Sequence, residues 1–399
     1  MKLLDKYKLP EESIVFVKVI VSIVLFFTFI PLGSFVLWNL IPSRPLGVVV
    51  LDKTVSNSNT QEHYAIHWIL NHLKYTKAGG GKYDSQKDYF GFFPKKTYKE
   101  SHVKDFENLT SEQKSQLVAQ NDVFYFSDTY GIYKSDFCEL KENKSVSEML
   151  YGGLTDADLD VLEKAIQKER IIIAEFNTIN SPTPKKQRLR FEELTEIRWT
   201  GWITRYFDEL DTLLNDELPS WMIEQYKIQH QGEWEFKGSG MVFLNENGRI
   251  EVLSYEKDTK RKMPAIISPL TSQQNYNIPE VSSYPYWIDI VLVSRDFDVV
   301  SYYDLSPTDE GLEKLRSMGL PRYFPAVVTR KIGENGKLYY FSGDFADNPV
   351  QDSSHKFFGI ARLWKMFLGA EDLSNRNSFF WNYYFPLLKE ILSEAKNRD

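Results

Sequence analysis

Four acids stand at or just beyond the ends of short apolar runs. LGVVVLD ends on Asp52, NDVFYFSD on Asp128, RIIIAE on Glu175 and KLYYFSGD on Asp344. Each run reads as a buried strand, and in open α/β sheets the ligand crevice lies at the C-terminal strand ends. If the four strands are neighbours, the carboxylates line one cleft. Such a group suits acid–base chemistry, sugar binding or cation binding. The structural alternative is that acids there cap following helices or accept from loop amides. A hydrolase built on two of them needs carboxyls about 5–10 Å apart, one with a raised pKa. Tyr130, Trp199 and Trp202 are rings suited to stacking on sugars, and equally suited to a core.

Other chemistry-bearing residues point less far. His63 and His67 are four apart on an expected helix, a spacing that suits metal ligation. Lacking a Glu directly after His63, they do not form the zinc-protease motif. An exposed polar helix face is the expectation, with no metal. KKQRLR (185–190), Arg198 and Arg205 suit an anionic ligand or lipid headgroups, with a solvated face as the default. Cys138 is the single cysteine, so neither an internal disulfide nor a Cys-rich zinc site is available. It follows no glycine elbow and reads as an inert thiol. Asn108-Leu-Thr and Asn143-Lys-Ser match the glycosylation pattern.

The elements that must position the acids alternate. After the strand at 46–52, residues 60–75 place Ile66, Ile69, Leu70 and Leu73 on one helical face, and AGGG (78–81) ends that element. The 121–128 strand is followed by a helix over 154–169, with Thr155 as N-cap and Asp158 three residues on, close to a capping box. The 170–175 strand comes next. Strand, helix, strand, helix, strand implies a parallel sheet with right-handed crossovers. Beyond Asn180 the pattern changes. Residues 181–190 read as a loop and 191–214 as helical, interrupted near Gly201. Asn247-Gly248 and Asn335-Gly336 mark hairpins within 233–257 and 325–344, 287–294 and 298–305 read as strands, and helices over 356–369 and 379–396 close the chain. The expected fold is α/β: a doubly wound, mostly parallel, flavodoxin-like sheet over 46–399, with a β-rich insertion at about 181–283.

Residues 19–41 contain no charge. As a helix they would span ~35 Å, enough for a bilayer core of about 30 Å. The apolar run is longer than a signal peptide's, and WNLIPSRP offers no small-x-small cleavage site. The expectation is an uncleaved transmembrane helix over 14–41. Lys2, Lys6, Lys8 and Lys18 precede the apolar run, against Arg44 and Lys53 after it, which favours a cytoplasmic N-terminus (1–13) and an outward-facing domain at the cell membrane. The lipid bilayer is then one partner. With 42% hydrophobic and 26% charged residues the chain is not disordered, and a net charge of −7 gives no nucleic-acid footprint.

YGGLTDADLDVLEKAIQKERIIIAEFNT (151–178) joins a Gly-Gly pair, a helix of the form LTDxDLxxLxxxI and a strand ending in Ala-Glu. It resembles the class I glutamine amidotransferase-like superfamily, most of all its trehalose-utilisation-type and glycosidase-associated branches. YYFSGDFADN (339–348) resembles the terminal strand and loop of such domains. LDKTV, DYFGFFP, SDTYG, AEFNT, WTGW and SGDFAD together resemble a family of bacterial single-pass membrane proteins with no settled activity. The superfamily resemblance covers about 46–180 and 285–348 and implies a flavodoxin-like sheet. No cysteine sits on a strand-to-helix elbow, so glutamine hydrolysis is not expected. What the resemblance implies is a crevice, with Glu175 and Asn177 near the usual reactive position. The leading expectation is a domain that binds an envelope ligand or partner, a polysaccharide or its synthesis machinery, with no cofactor. The rival is a carbohydrate-active hydrolase using paired carboxylates, and a third reading is a purely structural scaffold.

Overall fold

The computed structural model describes residues 11–58, 60–140, 147–348, 352–367 and 376–397. Residues 1–10, the Asn143 sequon and the end of the helix expected at 356–369 lie outside them. Glu11–Leu40 form one helix. Its Val15–Leu40 stretch is long and apolar enough to cross a bilayer. Residues 15–33 are exposed along its whole circumference, as a lipid-facing segment would be.

The rest is a mixed α/β fold around a ten-stranded sheet. Its centre consists of five parallel strands, in spatial order Phe90–Phe93, Val48–Asp52, Val123–Asp128, Ile171–Glu175 and Gly336–Phe341. Antiparallel strands extend both flanks: His102–Lys104 beyond Phe90, and Tyr323–Ile332, Asp298–Asp304, Ala265–Ile267 and Val281–Ser283 beyond Gly336. Successive strand side chains point to opposite faces. Val48, Val50, Tyr125, Ile171 and Ile173 enter one core, and Val49, Leu51, Phe124, Phe126, Ile172 and Ala174 the other. Helices cover both faces. Gln61–His72 and Phe385–Lys396 pack on the first; Ser111–Gln120, Asp156–Gln167 and Lys185–Thr195 pack on the second. Each fully buried aliphatic or aromatic side chain contributes about 1.5–3 kcal/mol, so the sheet centre anchors everything at its ends.

Gly91 sets how closely the edge strand approaches. It pairs with Asp52 at a φ of +145°, and a Cβ there would fall 1.6 Å from the Asp52 carbonyl oxygen. Only glycine tolerates that approach.

A second sheet is antiparallel: Ile250–Ser254, Gly240–Asn245, Ile197–Phe207 and Trp287–Val293. Here the structure corrects two expectations. Residues 185–190, expected as loop, open the helix Lys185–Thr195, and 197–207 is a strand rather than a helix. Glu196 ends the helix at a φ of 61°. The β-branched and aromatic run IRWTGWITRYF then pairs on both edges, which outweighs the acids and leucines that follow it. The strand expected from 233 begins only at Gly240. Helices Gln61–His72 and Asp156–Gln167 and hairpin tips at Gly248 and 333–336 lie as expected, and Thr155 and Asp158 form a complete capping box.

Candidate functional site

The parallel strands deliver Asp52 and Asp128 side by side, paired across adjacent strands. Thr54 links them. Its backbone N–H donates to Asp52 Oδ1 at 2.9 Å, and its hydroxyl donates to Asp128 Oδ1. Asp128 also accepts from the Tyr130 N–H at 2.6 Å and the Asn177 amide at 3.0 Å. Burial and the neighbouring Asp52 outweigh those donors and push Asp128 up to about 7.

Asp52 is fully buried, with Oδ2 2.6 Å from His63 Nδ1. His63 Nε2 lies 2.7 Å from the Ser85 carbonyl. A carbonyl only accepts, so a hydrogen on Nε2 satisfies this contact. His67 bonds to the carbonyls of His63 (2.9 Å) and Asp88 (3.1 Å). Burial and His63 push it down to about 4. Both histidines are buried, not the exposed face expected, because the first helix turns this side onto the 83–89 loop and Tyr89 rather than to solvent.

Glu175 is also inward. Tyr125 donates its hydroxyl to Oε1, and the Ala346 N–H donates to Oε2 at 2.9 Å. Burial, then Asp344, hold Glu175 well above the usual carboxylate range. The accessible acids are Glu62, Asp344 and Asp347, all half-buried, each offering a carboxylate oxygen within 4.8 Å of the other two. Burial and four neighbouring acids (Asp344, Asp347, Asp128 and Asp52) push Glu62 well above its ordinary value. Arg376 answers part of this charge, lying 3.2 Å from Asp344 and 2.7 Å from Asp347. Its guanidinium also sits over the Tyr286 ring, 3.9 Å from the centroid.

The four acids singled out in the sequence therefore gather at one end of the sheet: Thr54 and Glu62 link Asp52, Asp128 and Asp344, and Asp344 acts in turn on Glu175. They differ in access: Asp52 and Glu175 are committed inward, Asp128 is nearly so, and Asp344 is half-open. Tyr130 and Asn177 join the site, Tyr130 being 45% exposed. Trp199 and Trp202 do not. Both lie on the Ile197–Phe207 strand of the second sheet, Trp199 bonding the Trp202 carbonyl and Trp202 buried in the core. Arg188 covers the Trp199 ring and pairs with Glu246, and Arg205 pairs with Glu217. Sequence reasoning missed Glu62, Asp347, Arg376 and Trp287. Trp287 stacks on Phe176, and its carbonyl accepts from the Asp344 N–H. Asp347 lay within the SGDFAD motif, and Glu62 beside His63, so both were adjacent to recognised signals.

Chemically, the trio Glu62, Asp344 and Asp347 offers clustered oxygen acceptors for a hard cation or for ligand hydroxyls. Two clefts lie at the other, N-terminal strand ends: one of about 330 Å³ between Asp122, Arg170 and Asn335, and one of about 250 Å³ beside Lys77, Asp88 and Lys104. Neither touches the acid rim. The rim is favoured over them because its charges are desolvated and mutually perturbed, the state that functional groups share.

No family model matches the chain, and no curated protein does. Among solved structures it is similar to a β-galactosidase from Rahnella sp. R3, at 9% identity and a TM-score of 0.31, covering 81% of this chain and 32% of the enzyme. The chain thus spans about a third of that enzyme's length. It is also similar to a cytoplasmic protein from Salmonella typhimurium (10% identity, 87% of this chain, 98% of the other, TM-score 0.34). A ThuA-like protein from Bacteroides uniformis is comparable, at 9% identity over 87% of this chain and 93% of the other, with a TM-score of 0.32.

Proposed function

We propose that the acid rim is a ligand-binding site for a polyhydroxylated envelope ligand, a polysaccharide above all, on a domain tethered to the membrane by its N-terminal helix. The observation that carries this reading is the convergence of half-buried Glu62, Asp344 and Asp347 beside Asp128 at the C-terminal ends of parallel strands. Carboxylates in that position accept from sugar hydroxyls, and exposed Tyr130 supplies a ring at the same rim. The helix acts as an uncleaved anchor with the N-terminus cytoplasmic and 46–399 outside. The five parallel strands follow the order second, first, third, fourth, last, which supports a flavodoxin-like core of the amidotransferase-like kind. The second sheet, built largely from 197–254, supports an insertion at about 181–283.

A hydrolase is the second reading, favoured by the setting of Asp128: burial beside Asp52 raises it to about 7, so that about half of it is protonated at neutral pH, as a general acid requires. Asp52 is a poor partner for it, being bound to His63 and Thr54. The test is glycan-array binding and product analysis with the full chain in detergent, beside Asp344→Ala, Glu62→Gln and Asp128→Asn. Binding lost in the first two without product formation supports a binding site. Product that disappears in Asp128→Asn supports the hydrolase.

A further inference from the structure

The membrane helix and the C-terminal region touch at Ser34. The Phe358 N–H donates to the Ser34 carbonyl at 3.2 Å, and the Ser34 hydroxyl donates to the Phe358 carbonyl at 2.7 Å. Phe35 packs against Phe357 with ring centroids 6.3 Å apart, and Trp38 against His355 at 5.8 Å. Ser34 lies six residues before Leu40, the last residue of the helix. At 1.5 Å per residue the contact is ~9 Å inside the end of the apolar stretch.

The helix Ile360–Phe367 starts directly after this contact. Ile360 and Ala361 pack on the domain core, and Trp364 stacks on Trp381 at 6.3 Å. That fixes its orientation and leaves Phe358 55%, Leu363 46% and Met366 70% exposed. Leu363 and Met366 are three apart and share a face; Arg362 and Lys365 share the next. The run KFFGIARLWKMF (356–367) carries three basic residues and no acid, in a chain whose net charge is −7.

We propose that residues 357–367 lie in the bilayer interface as a second lipid contact beside the membrane helix, with Phe358, Leu363 and Met366 at the acyl boundary and Arg362 at headgroup phosphates. This rests on the N-terminal helix being a membrane span. Amphipathic interfacial helices sit ~5–10 Å into the boundary, and the Ser34 contact puts this one at that depth. The continuity with the span selects lipid as the occupant. The domain is thereby held at two points, so its strand ends keep a fixed attitude to the membrane.

The test uses the full chain in nanodiscs of phosphatidylcholine and phosphatidylglycerol. Cys138→Ser removes the native thiol, and single cysteines are placed by Leu363→Cys, Met366→Cys, Val24→Cys and Leu213→Cys, each labelled with a polarity-sensitive dye. Lipids bearing a nitroxide on the upper acyl chain are then added. The dyes at positions 363, 366 and 24 are expected to lose emission, and the dye at 213, 89% exposed in the structure, to keep it. Retained emission at 363 and 366 with loss at 24 overturns the interfacial helix and leaves the span. Retained emission at 24 overturns both. A blue-shifted dye at 366 that lipid nitroxides leave unquenched overturns the proposal by showing a second protein copy on this face.

Discussion

Asp52 Oδ2 lies 2.6 Å from His63 Nδ1, with neither side chain exposed to solvent. The contact joins the end of a central parallel strand to the first turn of the next helix. Thr60 opens that helix at a φ of 48° without bonding a backbone amide through its side chain. The Asp52 carboxylate thus ties the His63 side chain, and with it the first turn of the helix, to the end of the strand. Glu62, one residue before His63, is thereby fixed beside Asp344 and Asp347.

Next to Asp52, Lys53 and Asp158 form an ion pair at 2.6 Å with no exposure on either side. Lys53 also donates to the Gly153 carbonyl at 3.0 Å. Removing one member of such a pair strands a buried charge and costs about 3–5 kcal/mol. Lys53→Met is expected to lower stability by that amount in denaturant unfolding. Lys53→Met with Asp158→Asn is expected to recover part of it, because the amide oxygen keeps the helix-capping contact to Thr155.

Gly91 makes a sharper prediction. Its Cβ would overlap the Asp52 carbonyl oxygen, whereas a Cβ at Gly79 meets nothing within 4 Å. Gly91→Ala is expected to cost about 3 kcal/mol or more, as overpacking and backbone strain combine. Gly79→Ala is expected to be near neutral. Thermal unfolding of the two variants checks this.

Asp289 gives a pH signature. It is fully buried, accepts a hydrogen bond from the Tyr340 hydroxyl, and is pushed up to about 7 by burial. Unfolded, it ionises near 3.9. The folded state holds the proton more tightly, so this contribution is complete below about pH 4 and is lost as pH rises through about 7, at up to about 1.4 kcal/mol per unit. His67, pushed down to about 4, contributes in the opposite sense, losing stability as pH falls from about 6.5 toward 4. The difference between wild type and Asp289→Asn isolates the first trend. The variant is expected to gain on wild type between pH 5 and 8 in a Tm series.

Cys138, exposed and the single cysteine of the chain, reports orientation. A membrane-impermeant maleimide is expected to label it in intact cells. Labelling only after permeabilisation would reverse the topology.

The parallel core was legible because buried strands are continuous apolar runs. VVVLD and IIIAE carry no polar residue before their terminal acid and VFYFSD only Tyr125 and Ser127, and their order with helices dictates the sheet. The convergence of the terminal acids followed from that order. Their access did not. Whether Glu175 faces a cleft or Tyr125 depends on the register of Phe385–Lys396 and its preceding turn, which bring Tyr384 to 2.6 Å from Tyr125 across more than 250 residues. The strand Ile197–Phe207 was misread because its edge partners, Gly240–Asn245 and Trp287–Val293, are remote in sequence, and local periodicity does not record them. The burial of His63 likewise depends on Asp52 and Ser85, neither of which lies on its own helix.

The most direct test of the acid rim is the dissociation constant of the best array glycan, measured by calorimetry for wild type, Asp344→Ala and Lys168→Ala. Lys168 lines the cleft at the opposite strand ends. The rim variant is expected to bind about tenfold or more weakly, a change of about 1.4 kcal/mol or more, with Lys168→Ala unchanged. Equal affinity in wild type and a folded Asp344→Ala, or a loss confined to Lys168→Ala, would contradict the assignment.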